Sequence, residues 1–219
     1  MNGQDRPVVF LAGDSTVQTY SREHAPQAGW GQFIGRYFTD GVRFDNRAIG
    51  GRSSKTFITE GRLDALAETM KPGDWLLVQM GHNDATASRP ERYTDPHTDY
   101  KRYLAEYAAA ARARGATPVF VTPVGRLHYE DGSFQNDFAA YCCAMKEVAE
   151  RENAPLIDLM ALSLAYYTSV GYAEAESFFM IVVNGTDRTH FTEKGADVIA
   201  GLVADGVKGL NIDLSRFVR

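Results

Sequence analysis

Apolar residues in this chain come in two patterns. Five short, nearly unbroken runs lie at residues 8–12 (VVFLA), 42–48 (VRFDNRA), 75–80 (WLLVQM), 117–122 (TPVFVT) and 155–159 (PLIDL). Continuous rather than alternating runs of this length predict strands covered on both faces of a parallel sheet. Between them the spacing changes to three and four. Tyr100, Tyr103, Leu104, Tyr107, Ala108 and Ala111 form one apolar stripe, and Gly115 supplies its C-terminal stop. Phe138, Tyr141, Cys142, Met145, Val148 and Ala149 repeat that pattern. A shorter stripe of Leu63, Leu66, Ala67 and Met70 ends at Lys71-Pro72-Gly73, and Thr192 is placed to cap a last helix carrying Val198, Ile199, Leu202 and Val203. Strand and helix alternate throughout, which predicts right-handed crossovers and a doubly wound, three-layer α/β/α sandwich on a five-stranded parallel sheet. Residues 85–98 and 177–190 are the least regular stretches and are expected to be loops shaping a cleft. The apolar FFMIVV at 178–183 reads equally as an extra strand.

Size and charge narrow the picture. The 219 residues suit one domain over 1–219, large enough to bury a core without disulfides or metals. Hydrophobic residues make up 44% and charged residues 23%, as in soluble globular proteins. With 23 basic against 28 acidic residues the net charge is −5, which argues against a dedicated nucleic-acid partner. No run approaches the roughly 20 apolar residues of a membrane span, and no apolar signal core precedes residue 8. A cytoplasmic protein is expected, or a secreted one if a leader was trimmed. The only cysteines, Cys142 and Cys143, are adjacent, so no disulfide framework exists.

Ligands of such sheets bind beyond the carboxyl ends of the strands. Polar residues just past each predicted strand are therefore candidates for chemistry. Gly13-Asp14-Ser15-Thr16 follows the first, Gly50-Gly51-Arg52-Ser53 the second, and Gly81-His82-Asn83-Asp84 the third. Asp187-Arg188-Thr189-His190 comes after the fifth and a longer excursion. Together these clusters hold the parts of an acyl-transfer site. A serine hydroxyl becomes a useful nucleophile only beside a base, so Ser15 calls for His190. The imidazole must be held in one tautomer and stabilised when charged, which is the task expected of Asp187. The backbone N–H groups of Ser15 and Gly51 and the side-chain amide of Asn83 are the candidate oxyanion donors.

The blocks GDSTV (13–17), GGRSS (50–54), GHND (81–84) and DRTH (187–190) resemble those of the SGNH, or GDSL-type, hydrolase superfamily, in order and across most of the chain. The finer pattern of GDSTV, GGRSSKTF and DRTHFTEKGA is similar to the rhamnogalacturonan acetylesterases. The resemblance implies a flavodoxin-like sandwich and a serine esterase releasing acetyl groups from pectin fragments. It carries Ser15, Gly51, Asn83, Asp187 and His190 into the family roles, without cofactor or metal. The usual leucine of the first block is Thr16 here.

Each block alone is weak evidence: Gly-Asp-Ser is commonly a turn, and Asp-x-x-His commonly caps a helix. Gly50 to Thr56 looks superficially like a phosphate loop but has Ile49 and Ser54 where that motif needs glycine. His82, Asp84, His97, His128 and His190 show no metal-ligand spacing. His24, His97 and His128 read as solvent-facing, Cys142 and the helix tyrosines as packing, and Trp30 as a core anchor for a first helix rather than a sugar platform. Arg52, His82 and Arg188 are candidate substrate contacts. Arg52, Lys55, Arg62, Arg126 and Arg188 would make the cleft locally positive unless Glu60, Asp64 or Asp187 neutralise them. Rival readings are an esterase, thioesterase or lysophospholipase for other acyl esters, an acetylxylan esterase, and a non-catalytic carbohydrate-binding module.

Overall fold

The computed structural model describes residues 6–219. Five parallel strands form the central sheet: β1 (Val8–Gly13), β2 (Arg43–Asn46), β3 (Trp75–Gln79), β4 (Thr117–Val121) and β5 (Leu156–Ile157), in the order 2-1-3-4-5. The expected sheet is borne out. Register is parallel throughout, with Val9 opposite Phe44 and Trp75, and Gly13 opposite Gln79. The order reverses beside β1, so the crevice at its carboxyl end is the position where ligands of such sheets bind.

Successive side chains of a strand point to opposite faces, and here both faces are buried. Val9, Leu11, Trp75, Leu77, Val119 and Val121 pack into one core, while Phe10, Ala12, Leu76, Val78 and Phe120 enter the other. Helices α1 (Ser54–Thr59), α2 (Arg62–Ala67), α3 (Asp99–Ala113) and α4 (Ala139–Arg151) cover the second face. The first is covered by α5 (Leu159–Val170), the short α6 (Tyr172–Glu176) and α8 (Glu193–Gly209), with α7 (Ile181–Asn184) at its edge. The tyrosines Tyr100 and Tyr107 are fully buried on the stripe read from the sequence, and Thr192 caps α8 by accepting from Gly195 N–H. Among the described residues no helix is long and apolar enough to cross a membrane.

Several expectations need correction. The connection from β1 to β2 is built of 3₁₀ turns rather than an α-helix, Trp30–Gln32 and Ile34–Tyr37 among them. Gly29 lets the chain pass close against residues 17–18 just before these turns, since a Cβ there would lie 2.4 Å from the carbonyl oxygen of Gln18. Trp30 is in the core as expected, but as the start of such a turn. Residues 178–183 do not form a strand. Phe179 makes one isolated bridge to Phe191, and the chain then turns into α7, leaving Val182 and Val183 exposed. The fifth strand is only two residues long because Asp158 caps α5, its carboxylate accepting from Ala161 N–H. A hairpin of Tyr129–Glu130 and Ser133–Phe134, closed by Asp131 and Gly132 in left-handed conformation, has no counterpart among the predicted elements. Asp-Gly between short apolar runs is its sequence signal.

Candidate active site

The end of β1 feeds directly into the turn carrying Ser15. Asp14 shapes this turn: its backbone carbonyl accepts from Val17 and Gln18 N–H, and its Oδ1 accepts from the N–H and hydroxyl of Thr16 at 2.9 and 2.8 Å. Beneath it runs a buried polar chain. Trp30 Nε1 donates to Gln79 Oε1 at 2.8 Å, and Gln79 Nε2 donates to Thr16 Oγ1 at 2.6 Å. The Thr16 hydroxyl is therefore a relay between strand β3 and Asp14. Burial alone would push the Asp14 carboxyl up; the neighbouring His82 ring and the bonds from Thr16 outweigh it and hold it below the ordinary value.

The His190 loop reaches Ser15 through a two-residue antiparallel ribbon, Gln27–Ala28 against Phe191–Thr192. It is tied further by Met180 N–H to the His190 carbonyl, Leu127 N–H to the Arg188 carbonyl, and Glu193 N–H to the Pro26 carbonyl. The result is a connected line of side chains. His190 Nε2 lies 3.0 Å from Ser15 Oγ, and His190 Nδ1 lies 2.7 Å from Asp187 Oδ2. The other Asp187 oxygen accepts from the N–H groups of Thr189 and His190 at 2.9 and 3.0 Å. Partial burial raises the Asp187 carboxyl, but these donors and the imidazole hold it below the usual carboxylate range.

The second and third blocks close around the same serine. Ile49 N–H donates to the Gly13 carbonyl, and Gly50 N–H to Gln18 Oε1. A Cβ on Gly50 would stand 3.4 Å from the Ser15 Cβ, which puts this segment against the Ser15 turn. Gly51 has φ of +79°, a left-handed conformation that favours glycine. Asn83 Nδ2 donates to the Arg52 carbonyl at 2.9 Å, one residue beyond Gly51, and keeps a second N–H.

Asp84 locks the two blocks together. Fully buried, it accepts from Ser54 N–H, from Ser54 Oγ at 2.5 Å and from Thr94 Oγ1 at 2.8 Å. Burial raises its carboxyl to about 6 against the pull of these donors. The folded-state value therefore lies above the unfolded one, so protonation favours the fold. That stability is fully present below about pH 4 and is lost as pH rises through about 6. Asp84→Ala is expected to cost about 3 kcal/mol by orphaning buried donors. Urea unfolding checks this, and the stability gap between wild type and Asp84→Asn should move in favour of the asparagine variant as pH rises across that window.

The candidate substrate contacts fare differently. His82 is turned inward and does not face the cleft as a free contact: its Nε2 donates to the Val124 carbonyl at 3.1 Å and its ring packs on Phe138. Its Nδ1 stands 3.3 Å from Asp14 Oδ2, out of hydrogen-bonding alignment. The glycine before it, Gly81, packs against Pro123, where a Cβ would stand only 2.4 Å away. Arg52 is tied to Glu60 at 3.1 Å and to the Gly50 carbonyl; Arg62 shares Glu60. Lys55 reaches the Pro90 carbonyl. Arg188 is exposed and donates to the Tyr172 hydroxyl. His24 and His97 are exposed, and His128 is paired with Asp137. Cys142 is buried, its thiol pushed up to about 12 by burial, as suits packing rather than nucleophilic chemistry. Among the described residues no group of three or more His, Cys, Asp or Glu side chains is arranged to hold a metal ion. Sequence reasoning missed Gln79 and the clamp made by Asp84. A glutamine inside the apolar run WLLVQM was the available signal for the first.

Residues 9–203 match the family described as GDSL-like lipase/acylhydrolase. The chain belongs to this family. This GDSL-type hydrolase is 54% identical over 210 residues to the probable rhamnogalacturonan acetylesterase YesY of Bacillus subtilis, covering 96% of each chain. It is 41% identical to rhamnogalacturonan acetylesterase RhgT of the same organism, over 94% of this chain and 91% of that one. Its fold superposes on the crystal structure of B. subtilis YxiM with a TM-score of 0.85 at 30% identity, covering 95% of this hydrolase and 58% of that chain. The acetylxylan esterase Axe2 of Geobacillus stearothermophilus shares the fold, with a TM-score of 0.69 at 14% identity and coverage of 97% and 96%.

Proposed function

We propose that this hydrolase is a serine carbohydrate esterase that removes O-acetyl groups from acetylated rhamnogalacturonan fragments, the whole chain serving as one catalytic domain. One observation carries the reading: in a GDSL-type chain, His190 stands 3.0 Å from the Ser15 hydroxyl while Asp187 holds its other nitrogen at 2.7 Å. Ser15 Oγ attacks the acetyl carbonyl as His190 Nε2 takes its proton. Asp187 keeps the Nδ1–H tautomer and stabilises the imidazolium. Negative charge on the carbonyl oxygen is met by the N–H groups of Ser15 and Gly51 and by Asn83 Nδ2. His190 then returns the proton to the departing sugar hydroxyl, and a water deprotonated by His190 releases acetate from Ser15.

The surroundings favour a sugar over a lipid chain. A cleft of about 560 Å³ beside Asp187 is lined largely by polar groups, among them Arg126, His128, Asp137, Thr186 and Arg188. The names of YesY and RhgT support the pectic substrate. The test is acetate release from acetylated rhamnogalacturonan and acetylated xylan, with p-nitrophenyl esters of increasing acyl length alongside. The highest kcat/KM is expected on rhamnogalacturonan, with a steep fall beyond acetyl. A preference for long acyl chains would point to lipid chemistry instead.

A further inference from the structure

Two arginines near this site have no partner that explains them. Arg92 and Arg126 line one cavity of about 490 Å³, with Thr86, Ser88, His82 and Phe138. The Nε atoms of both guanidinium groups are buried without a hydrogen-bond partner. Arg126 lies over the Phe138 ring, 4.8 Å from its centroid, and Arg92 reaches only Thr86 Oγ1, at a long 3.4 Å. Among the described residues neither is paired with a carboxylate, in contrast to Arg52 and Arg62 on Glu60. Both residues are half-buried, and an Nε shut off from solvent without an acceptor is an exception that calls for a partner.

The cavity adjoins the reaction centre. Its floor includes the turn that presents Asn83, because Thr86 N–H donates to the Asn83 carbonyl. Arg92 Nη1 is 3.9 Å from the point a Cβ on Gly51 would occupy. On the other side, Leu127, next to Arg126, is bonded to Arg188 of the His190 loop. The one carboxylate in the lining, Asp137, is engaged by His128 Nδ1 at 2.5 Å. That bond raises the His128 imidazole.

Planar guanidinium forks match carboxylates better than they match hydroxyls. We propose that Arg92 and Arg126 form a carboxylate-recognition subsite, which selects acetylated sugars bearing a free uronic acid close to the ester. The proposal rests on the reading of this site as a carbohydrate esterase.

The experiment compares acetate release from an acetylated, galacturonate-containing oligosaccharide with release from the same oligosaccharide after methyl esterification of its carboxylates. Wild type should favour the free acid by about tenfold or more in kcat/KM, the loss expected for a charge-assisted hydrogen bond. Arg92→Gln should collapse that ratio toward one, mainly through KM, and Arg92→Lys should restore part of it. Arg126→Gln should act like Arg92→Gln where circular dichroism shows it folded; if it does not fold, the Arg92 pair decides alone. Equal rates on acid and ester in wild type, or an unchanged ratio in Arg92→Gln, overturn the subsite while leaving the esterase reading in place. Acetate release from neither oligosaccharide, with hydrolysis of simple acetyl esters intact, overturns the carbohydrate reading and the subsite with it.

Discussion

Ser15→Ala should leave the fold unchanged and lower kcat about 10⁴-fold or more, the scale seen when a triad nucleophile is removed. The fold is spared because the turn is held by others: Asp14 accepts from Thr16, Val17 and Gln18, and Trp30, Gln79 and Thr16 are bonded beneath it. The serine hydroxyl itself is bonded to His190, and alanine removes that bond while leaving the turn's own bonds in place. Acetate release from a purified variant with an unchanged circular dichroism spectrum reads the effect. Near-normal turnover would end the role of Ser15 as nucleophile.

Asp187→Asn should be almost as damaging, with a fall of roughly 10⁴ in kcat by analogy with the buried aspartate of serine proteases. The reason is directional. One oxygen of Asp187 is committed to the N–H groups of Thr189 and His190, so an asparagine keeps its carbonyl there. Its amide then faces His190 Nδ1, which must accept instead of donate. The imidazole proton moves to Nε2, where it points at Ser15 and leaves no lone pair for the hydroxyl proton. Because the native carboxyl is held below its ordinary range, it is charged throughout neutral and mildly alkaline conditions. The loss should therefore persist across that range in a pH profile, and recovery of activity on raising the pH would contradict the tautomer argument.

Most parts of the site that were legible in the sequence share one property: they lie in a contiguous block shortly after a strand. Parallel strands bring such blocks to one edge, so Ser15, Gly51 and Asn83 could be placed together before any coordinates. His190 was harder, because it arrives through a ribbon of only two residues per strand, too short to carry a pattern. Side-chain direction in the loops was not legible. His82 sits among cleft-forming residues in sequence, yet its ring is drawn inward to the Val124 carbonyl. Arg92 lies in the irregular stretch 85–98, where no periodicity reports which way a side chain points, and Arg126 follows β4 without a motif around it. Helix α5 escaped notice for a different reason. Its sequence LMALSLAYYTSV is apolar on nearly every side, so no stripe distinguishes a buried face.

The fold itself was easier because five apolar runs separated by amphipathic stretches leave few topologies open. One departure falls where a capping side chain overrides the pattern, the early end of β5 at Asp158.

The central claim, a serine made nucleophilic by an imidazole that arrives from the far end of the chain, is tested most directly by a serine-reactive organophosphorus probe. Intact-mass measurement followed by peptide mapping should find one adduct per chain, on Ser15, with labelling nearly abolished in His190→Ala. An adduct on another residue, or full labelling of Ser15 without His190, would contradict it.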